Sequence, residues 1–298
     1  MPKRTQRTPT WSIVFEDAAQ LRSIVDAVST VMARVSFKVV KRDGKHVLEV
    51  DSADVAMMCC VSARLVLDKV VTNEEGEDEG FSFCVDCKHF ASAIETPSCA
   101  HLALTMLGLA EESKIVLTMH EPEQHAHEAS SEVSLYMEEE HDPLVAMDFD
   151  MLLEVDLSLL REMIKKARKA HTEKLRICVY LQEVAQKKIS LVVFSIEGDF
   201  THEQKFCHET TRDDDGSTIV RAATDGTHKL LDTDATEPAF EGVFPAEKID
   251  AFVKNLPCRM LTAKIKTGMP LMLDYPLGGT CDDVSHIRFL VAAVNEDV

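Results

Sequence analysis

The chain has few glycines and shows none of the glycine-dependent motifs of common enzymes. Only 11 of its 298 residues are glycine, and neither a phosphate-binding glycine loop nor a nucleophile elbow is present. No predicted helix carries paired metal ligands. These absences argue against nucleotide-dependent, hydrolytic and metal-dependent enzymes. We therefore expect a protein that is not an enzyme, has no catalytic or metal-binding residues and needs no cofactor.

The sequence also lacks long apolar runs and a secretory signal. No run approaches the roughly 20 residues of a membrane-spanning helix. The N-terminal stretch MPKRTQRTPTW is basic but has no apolar segment of the signal-peptide type, so residues 1–11 are expected to form a flexible arm. Nine cysteines, an odd number, then indicate reduced thiols in the cytosol or nucleus.

One cysteine pair has the spacing of metal ligands. Cys84 and Cys87 are separated by two residues, and Cys99 and His101 follow. A second pair of this kind is missing, although structural zinc sites usually require one. Buried strand cysteines are the preferred interpretation, and a metal-dependent enzyme is a remote alternative.

Positive charge is scarce, since the chain has 32 basic and 51 acidic residues and a net charge of −19. Such a chain repels nucleic acid at long range. The exception is LLREMIKKARKAHTEK at 159–174, whose basic residues are Arg161, Lys165, Lys166, Arg168, Lys169 and Lys174. At about 100° per residue, one face of this predicted helix is apolar and the other is basic. The basic face is either a nucleic-acid-binding surface or a solubilising one.

The periodicity of the chain predicts many short strands and few helices, which is an α+β composition. Helices are expected at 16–32, within 86–110, at 157–171 and at 245–255. A helix followed by three strands occurs twice, which indicates a duplicated domain. The predicted organisation is an N-terminal domain at 12–137, a connecting loop at 138–150 and a C-terminal domain at 151–298.

Five motifs, in order, resemble the proliferating cell nuclear antigen family of DNA sliding clamps. They are VDSADVAM (50–57), FSIEGDF (194–200), FPAEKIDAFVKNLPC (244–258), MPLMLDYPL (269–277) and HIRFLVAAVNED (286–297). The resemblance covers residues 12 to 297 and implies two similar clamp domains in tandem. In that fold, antiparallel sheets form the outside and helices line a central pore.

The resemblance also implies a function and partners. A family member, including a divergent or viral one, is a DNA polymerase processivity factor. It encircles duplex DNA independently of sequence and tethers replication and repair proteins. The expected partners are DNA polymerase, other clamp-binding peptides, a clamp loader and two further copies in a homotrimer. The expected location is the nucleus, or the viral replication site for a virus-encoded protein.

Two sets of residues match the family's functional positions. The expected DNA-binding residues of the pore are Arg22, Arg161, Lys165, Arg168, Lys169 and Lys254. The expected partner-peptide pocket comprises Val50, Asp54, Met57, Pro143, Leu144, Val145, Pro270, Leu290 and Ala292. Strands near 131–138 and 203–209 would form the junction between subunits.

The chain departs from the family pattern at three places. Region 86–110 is longer and its only basic residue is Lys88, loop 209–243 is expanded, and Asp54 stands where the family has histidine. The alternative within the same fold is therefore a checkpoint-type clamp subunit or a non-trimeric viral processivity factor.

Overall fold

The structure is a computed structural model of the chain, and a large part of the sequence is described by it. The described residues are 11–15, 18–53, 59–67, 69–72, 80–94, 103–109, 114–120, 128–136, 147–184, 187–212, 218–222, 237–254, 256–277 and 285–294.

Nine strands and two helices precede residue 137 in the described part of the chain. They are β1 (Trp11–Phe15), α1 (Ala18–Ser29), β2 (Arg34–Arg42), β3 (Lys45–Ala53), β4 (Cys59–Val66), β5 (Lys69–Thr72), β6 (Phe81–Asp86), α2 (Cys87–Ala93), β7 (Ala103–Leu109), β8 (Lys114–His120) and β9 (Glu128–Tyr136).

A further nine strands and two helices follow among the described residues. They are β10 (Met151–Asp156), α3 (Leu157–Lys169), β11 (Lys174–Val184), β12 (Lys187–Ile196), β13 (His202–Arg212), β14 (Thr218–Ala222), β15 (Phe240–Pro245), α4 (Ala246–Val253), β16 (Met260–Ile265), β17 (Leu271–Pro276) and β18 (His286–Val291).

The predicted α+β class with tandem clamp domains is wrong. Strands account for 58% of the structure and helices for 21%, and the strands form a large mixed sheet of 14 strands. One reason is segment 209–243, for which the sequence predicts an expanded loop. Its strand β14 pairs antiparallel with β13 and parallel with β10, so the sheet is mixed.

Residues Met1–Asp54, Val61–Leu144 and Pro276–Ile287 form one compact unit, here called unit 1. In it, β2 pairs with β3 and β6, while β1 pairs with β5 and β7. β8 lies between β7 and β9. Trp11 stacks on Phe81 and Phe83, and Phe37 contacts Phe83 and Phe90. Phe37, Phe83 and Phe90 are buried in the unit 1 core, whereas Trp11 and Phe81 are half-buried.

Unit 2 comprises Val55–Cys60, Val145–Tyr275 and Arg288–Val298. Here β11 lies between β12 and β15, and β10 lies between β14 and β16. Helices α3 and α4 contact each other, and the rings of Phe252 and Phe289 stack at 4.7 Å. Burial of these apolar side chains sets the positions of α3 and α4 and hence of their polar faces.

The helices are short, and their apolar stripes explain which face each one buries. Helix α1 buries Leu21, Ile24, Val25, Ala27 and Val28, most of which recur at helical spacing. Within the described residues, no helix is long and apolar enough to cross a membrane.

Candidate nucleic-acid interface

Helix α3 begins at a well-defined N-cap. The Asp156 carboxylate accepts a hydrogen bond from the Ser158 main-chain N–H at 2.8 Å and another from the Ser158 hydroxyl. The hydroxyl bond is the main reason that the pKa of Asp156 is lowered. Because Asp is among the preferred N-cap residues, the sequence itself specifies this start. The helix then buries Leu157, Leu160, Met163, Ile164 and Ala167.

The C-terminal end of α3 is closed by a Schellman motif. His171 has a positive φ of 51°, and Thr172 N–H donates to the Ala167 carbonyl at 3.1 Å. This is the bond that defines the motif, in which glycine usually occupies the position of His171. His171 Nδ1 lies 2.7 Å from Asp199 Oδ2. The histidine is therefore held by a partner in the turn between β12 and β13.

Arg161 binds main-chain carbonyl oxygens at the end of α4. Its Nε donates to Val253 O at 3.1 Å, and its Nη2 donates to Val253 O at 2.7 Å, Lys254 O at 3.2 Å and Leu256 O at 2.8 Å. The last carbonyls of a helix have no partner within the helix. Arg161 therefore caps α4 and joins α3 to it.

Two more cations of α3 have charged or polar partners. Arg168 forms an ion pair with Asp250 on α4. Lys166 Nζ lies 2.9 Å from Glu162 Oε1 and 2.7 Å from His202 Nε2. The hydrogen bond from Lys166 lowers the pKa of Glu162. Both cations are partly neutralised where they lie.

Lys165 and Lys169 differ from these residues because they are exposed and unpaired. Neither side chain has a hydrogen-bond or ion-pair partner in the described part of the chain. They are four residues apart and therefore lie on the same face of α3. Exposed Lys254 stands at the C-cap of α4, and its main-chain carbonyl accepts the bond from Arg161. These three residues are called the α3 lysine face below.

The α3 lysine face can bind phosphate groups without reading base sequence. Ammonium groups act as point charges on flexible stems, and phosphate contacts position a protein on DNA but carry no sequence information. The face offers no planar fork for base edges, since both guanidinium groups of α3 are engaged with α4. Arg22 lies on α1 in unit 1, and its Nε is 3.6 Å from Asp26 Oδ2.

The predicted partner-peptide pocket is only partly described. Val50 is buried on β3 in unit 1, while Leu290 is buried on β18 in unit 2. Pro270 and Ala292 are half-buried and also belong to unit 2. The remaining members lie outside the described residues: Asp54, Met57, Pro143, Leu144 and Val145. The pocket stays a prediction.

The paired cysteines are buried in unit 1. Cys84 and Cys87 are 1% and 0% exposed, and burial raises the pKa of Cys87 to about 12. A cysteine binds a metal ion as its thiolate, so the raised pKa of Cys87 disfavours metal binding by this residue. Cys99 and His101 lie outside the described residues. Within the described ranges, no group of three or more His, Cys, Asp or Glu side chains could hold a metal ion.

Sequence reasoning missed the partners of α3. Asp250 and His202 are distant in sequence from the cations they contact, and no local spacing marks them. The pairing of Arg161 with carbonyl oxygens could not be found either, because main-chain acceptors carry no residue signature. The spacing of Glu162 and Lys166, four residues apart, is the one signal that was available.

No protein-family model matches the chain, and no curated protein matches it either.

Proposed function

We propose that the protein is a non-enzymatic DNA processivity factor that encircles duplex DNA and tethers a polymerase and other partners. The observation that carries this proposal is the α3 lysine face. Its lysines are exposed, and those on α3 lack acidic partners among the described residues, in a chain of net charge −19. The proposal rests on the charge of the α3 lysine face and not on the mostly β architecture.

The number of free cations favours encirclement over tight surface binding. Three lysines neutralise few phosphates, and the acidic remainder repels DNA at long range. Direct affinity should therefore be weak. A protein that surrounds the duplex stays bound because of topology and can slide, since its phosphate contacts are equivalent along the helix.

Encirclement predicts that retention depends on DNA topology. The protein is assembled in excess with nicked circular duplex DNA, and unbound protein is removed by gel filtration at moderate salt. We expect the retained protein to be lost when a restriction enzyme linearises the circle. An equal loss with and without linearisation would contradict encirclement.

The proposed ring requires self-association, and two strand edges support it. Among the described strands, β9 pairs with β8 from Glu128 to Ser134 and with β6 only at Leu135 and Tyr136. Similarly, among the described strands residues 202–207 of β13 pair with β12 alone, because β14 ends at Ala222, opposite His208. Open edges of this length are normally covered. We propose that β9 of one copy pairs with β13 of the next, and that three copies close the ring.

A further inference from the structure

A second basic surface lies in unit 1, on the sheet made by β2, β3 and β4. Alternate residues of β2 point to opposite sides, and Phe37 and Val39 are buried on one side. The other side presents Arg34, Lys38 and Arg42. The side chain of Arg64 on β4 reaches the same side through Glu49. Together with Lys45, which is paired with Arg42 in the sheet register, these residues are called the basic sheet face.

Glu49 shows how this surface holds a carboxylate. Its Oε2 lies 3.3 Å from Arg42 Nη2, and its Oε1 lies 3.3 Å from Arg64 Nε. The carboxylate is 15% exposed, whereas the two arginine side chains are 61% and 51% exposed. Both guanidinium groups therefore keep free N–H donors that face solvent. A guanidinium group has five donors in a planar fork that matches carboxylates.

Lys38 and Lys45 remain available on the same face. Both are exposed, and neither has a hydrogen-bond or ion-pair partner in the residues that the structure describes. Asp51 and Asp86 are the further acidic residues on this side of β3 and β6. The Asp86 carboxylate caps α2 by accepting a bond from His89 N–H at 3.0 Å. Asp43, in the turn after Arg42, adds a fourth carboxylate near this face. Among the described residues, five cations thus outnumber four carboxylates here.

The spacing of the cations fits an extended acidic segment. Arg34, Lys38 and Arg42 are four residues apart on one strand, which is about 13 Å between neighbours. An extended peptide laid along β2 repeats its side chains at the same distance. We propose that the basic sheet face is a docking surface for an extended acidic peptide segment of a partner protein.

Two observations favour an acidic peptide over nucleic acid on this face. Single-stranded nucleic acid binding relies on aromatic platforms for base stacking, and the ring of Tyr136 beside this face is covered by Arg34 at 4.2 Å. Duplex DNA carries one charge per roughly 1.7 Å of axis, so the acidic chain repels it more strongly than it repels a short peptide.

The test uses a fluorescein-labelled decapeptide of alternating glutamate and serine, with binding followed by fluorescence anisotropy at low salt. The variant is Lys38→Glu with Lys45→Glu, since neither lysine has a described partner to lose. The matched control is Lys69→Glu with Lys88→Glu, two exposed lysines with the same charge change. Lys69 lies on β5, and Lys88 lies on α2, whose Phe90 contacts Phe37 on the buried side of β2. Circular dichroism confirms that each variant folds.

We expect the Lys38/Lys45 variant to bind the peptide roughly tenfold more weakly than the control, because two attractive contacts become repulsive. The Lys165→Glu/Lys169→Glu variant should bind it like the wild type, so the failure of one proposal is distinguishable from the failure of the other. Equal weakening in the variant and the control would overturn the docking surface. A Lys38/Lys45 variant that loses binding to short duplex DNA instead of the peptide would identify nucleic acid as the occupant and overturn the proposal.

Discussion

Arg161 and Arg168 lie on the polar side of α3, yet both are engaged with α4. Arg161 satisfies three main-chain carbonyl oxygens, whereas Arg168 makes one ion pair from a side chain that is 64% exposed. The two arginines therefore differ in what their removal would cost. Unpaired carbonyls are expensive in a half-buried position, while an exposed ion pair contributes little.

We predict that Arg161→Ala lowers the free energy of unfolding by roughly 2 kcal/mol, because hydrogen bonds from a charged donor are lost. The matched variant Arg168→Ala should cost below about 1 kcal/mol. Urea unfolding followed by circular dichroism measures both. Equal effects of the two substitutions would show that Arg161 does not cap α4.

His171 and Gly198 lie in contact with the C-terminal end of α3. A Cβ atom at position 198 would lie 2.0 Å from the carbonyl oxygen of Ala170. That oxygen accepts the main-chain N–H of Asp199 at 2.8 Å, which places the Asp199 side chain beside His171. Glycine at 198 thus permits the close approach that holds the helix end.

Among the secondary-structure elements, helix α3 is the one that the sequence predicts best. The predicted helix at 157–171 and the observed helix Leu157–Lys169 begin at the same residue, because the Asp156 cap and the apolar period are local signals. The mixed sheet could not be predicted in the same way. Parallel pairing of β14 with β10 joins residues far apart in sequence, and no short pattern encodes it.

For the candidate site, the sequence likewise predicts the local features but not the long-range contacts. Periodicity correctly separates the buried and polar sides of α3, but it cannot show which cations are neutralised. Asp250, which pairs with Arg168, lies on α4, and only packing brings it there. The six predicted DNA-binding residues stay a prediction, and the structure adds that two of them, Arg161 and Arg168, are engaged with α4.

The C-terminal cap of α3 supports a prediction about the element. His171 has a left-handed conformation that costs a non-glycine residue free energy. His171→Gly should therefore be neutral or stabilise the fold by up to about 1 kcal/mol, even though the contact with Asp199 is lost. His171→Val should destabilise it, because a β-branched residue disfavours positive φ. Thermal unfolding of both variants checks this, and a stabilising valine would refute the cap assignment.

Across the whole molecule, the positive charge is concentrated on two surfaces of an otherwise acidic chain. The net charge is −19, yet unit 1 and unit 2 each carry a surface where exposed lysines lack partners among the described residues. On an acidic chain, such surfaces restrict where anionic partners can bind. The α3 lysine face is assigned to DNA and the basic sheet face to an acidic peptide.

Self-association is a second property of the whole molecule. If β9 and β13 pair between copies, light scattering at micromolar concentration should give the mass of three chains of 33.2 kDa. A mass of one chain for the wild type would contradict the ring.

The salt dependence of duplex binding tests the central claim, which is that the α3 lysine face contacts phosphates. Each phosphate neutralised contributes about −0.9 to the slope of log affinity against log salt. Three lysines therefore predict a wild-type slope of about −2.7, and Lys165→Ala with Lys169→Ala should reduce it to about −0.9. Exposed Lys174→Ala, beyond the end of α3, should leave the slope unchanged. If the double variant keeps the wild-type slope, the face only solubilises the protein and does not bind DNA.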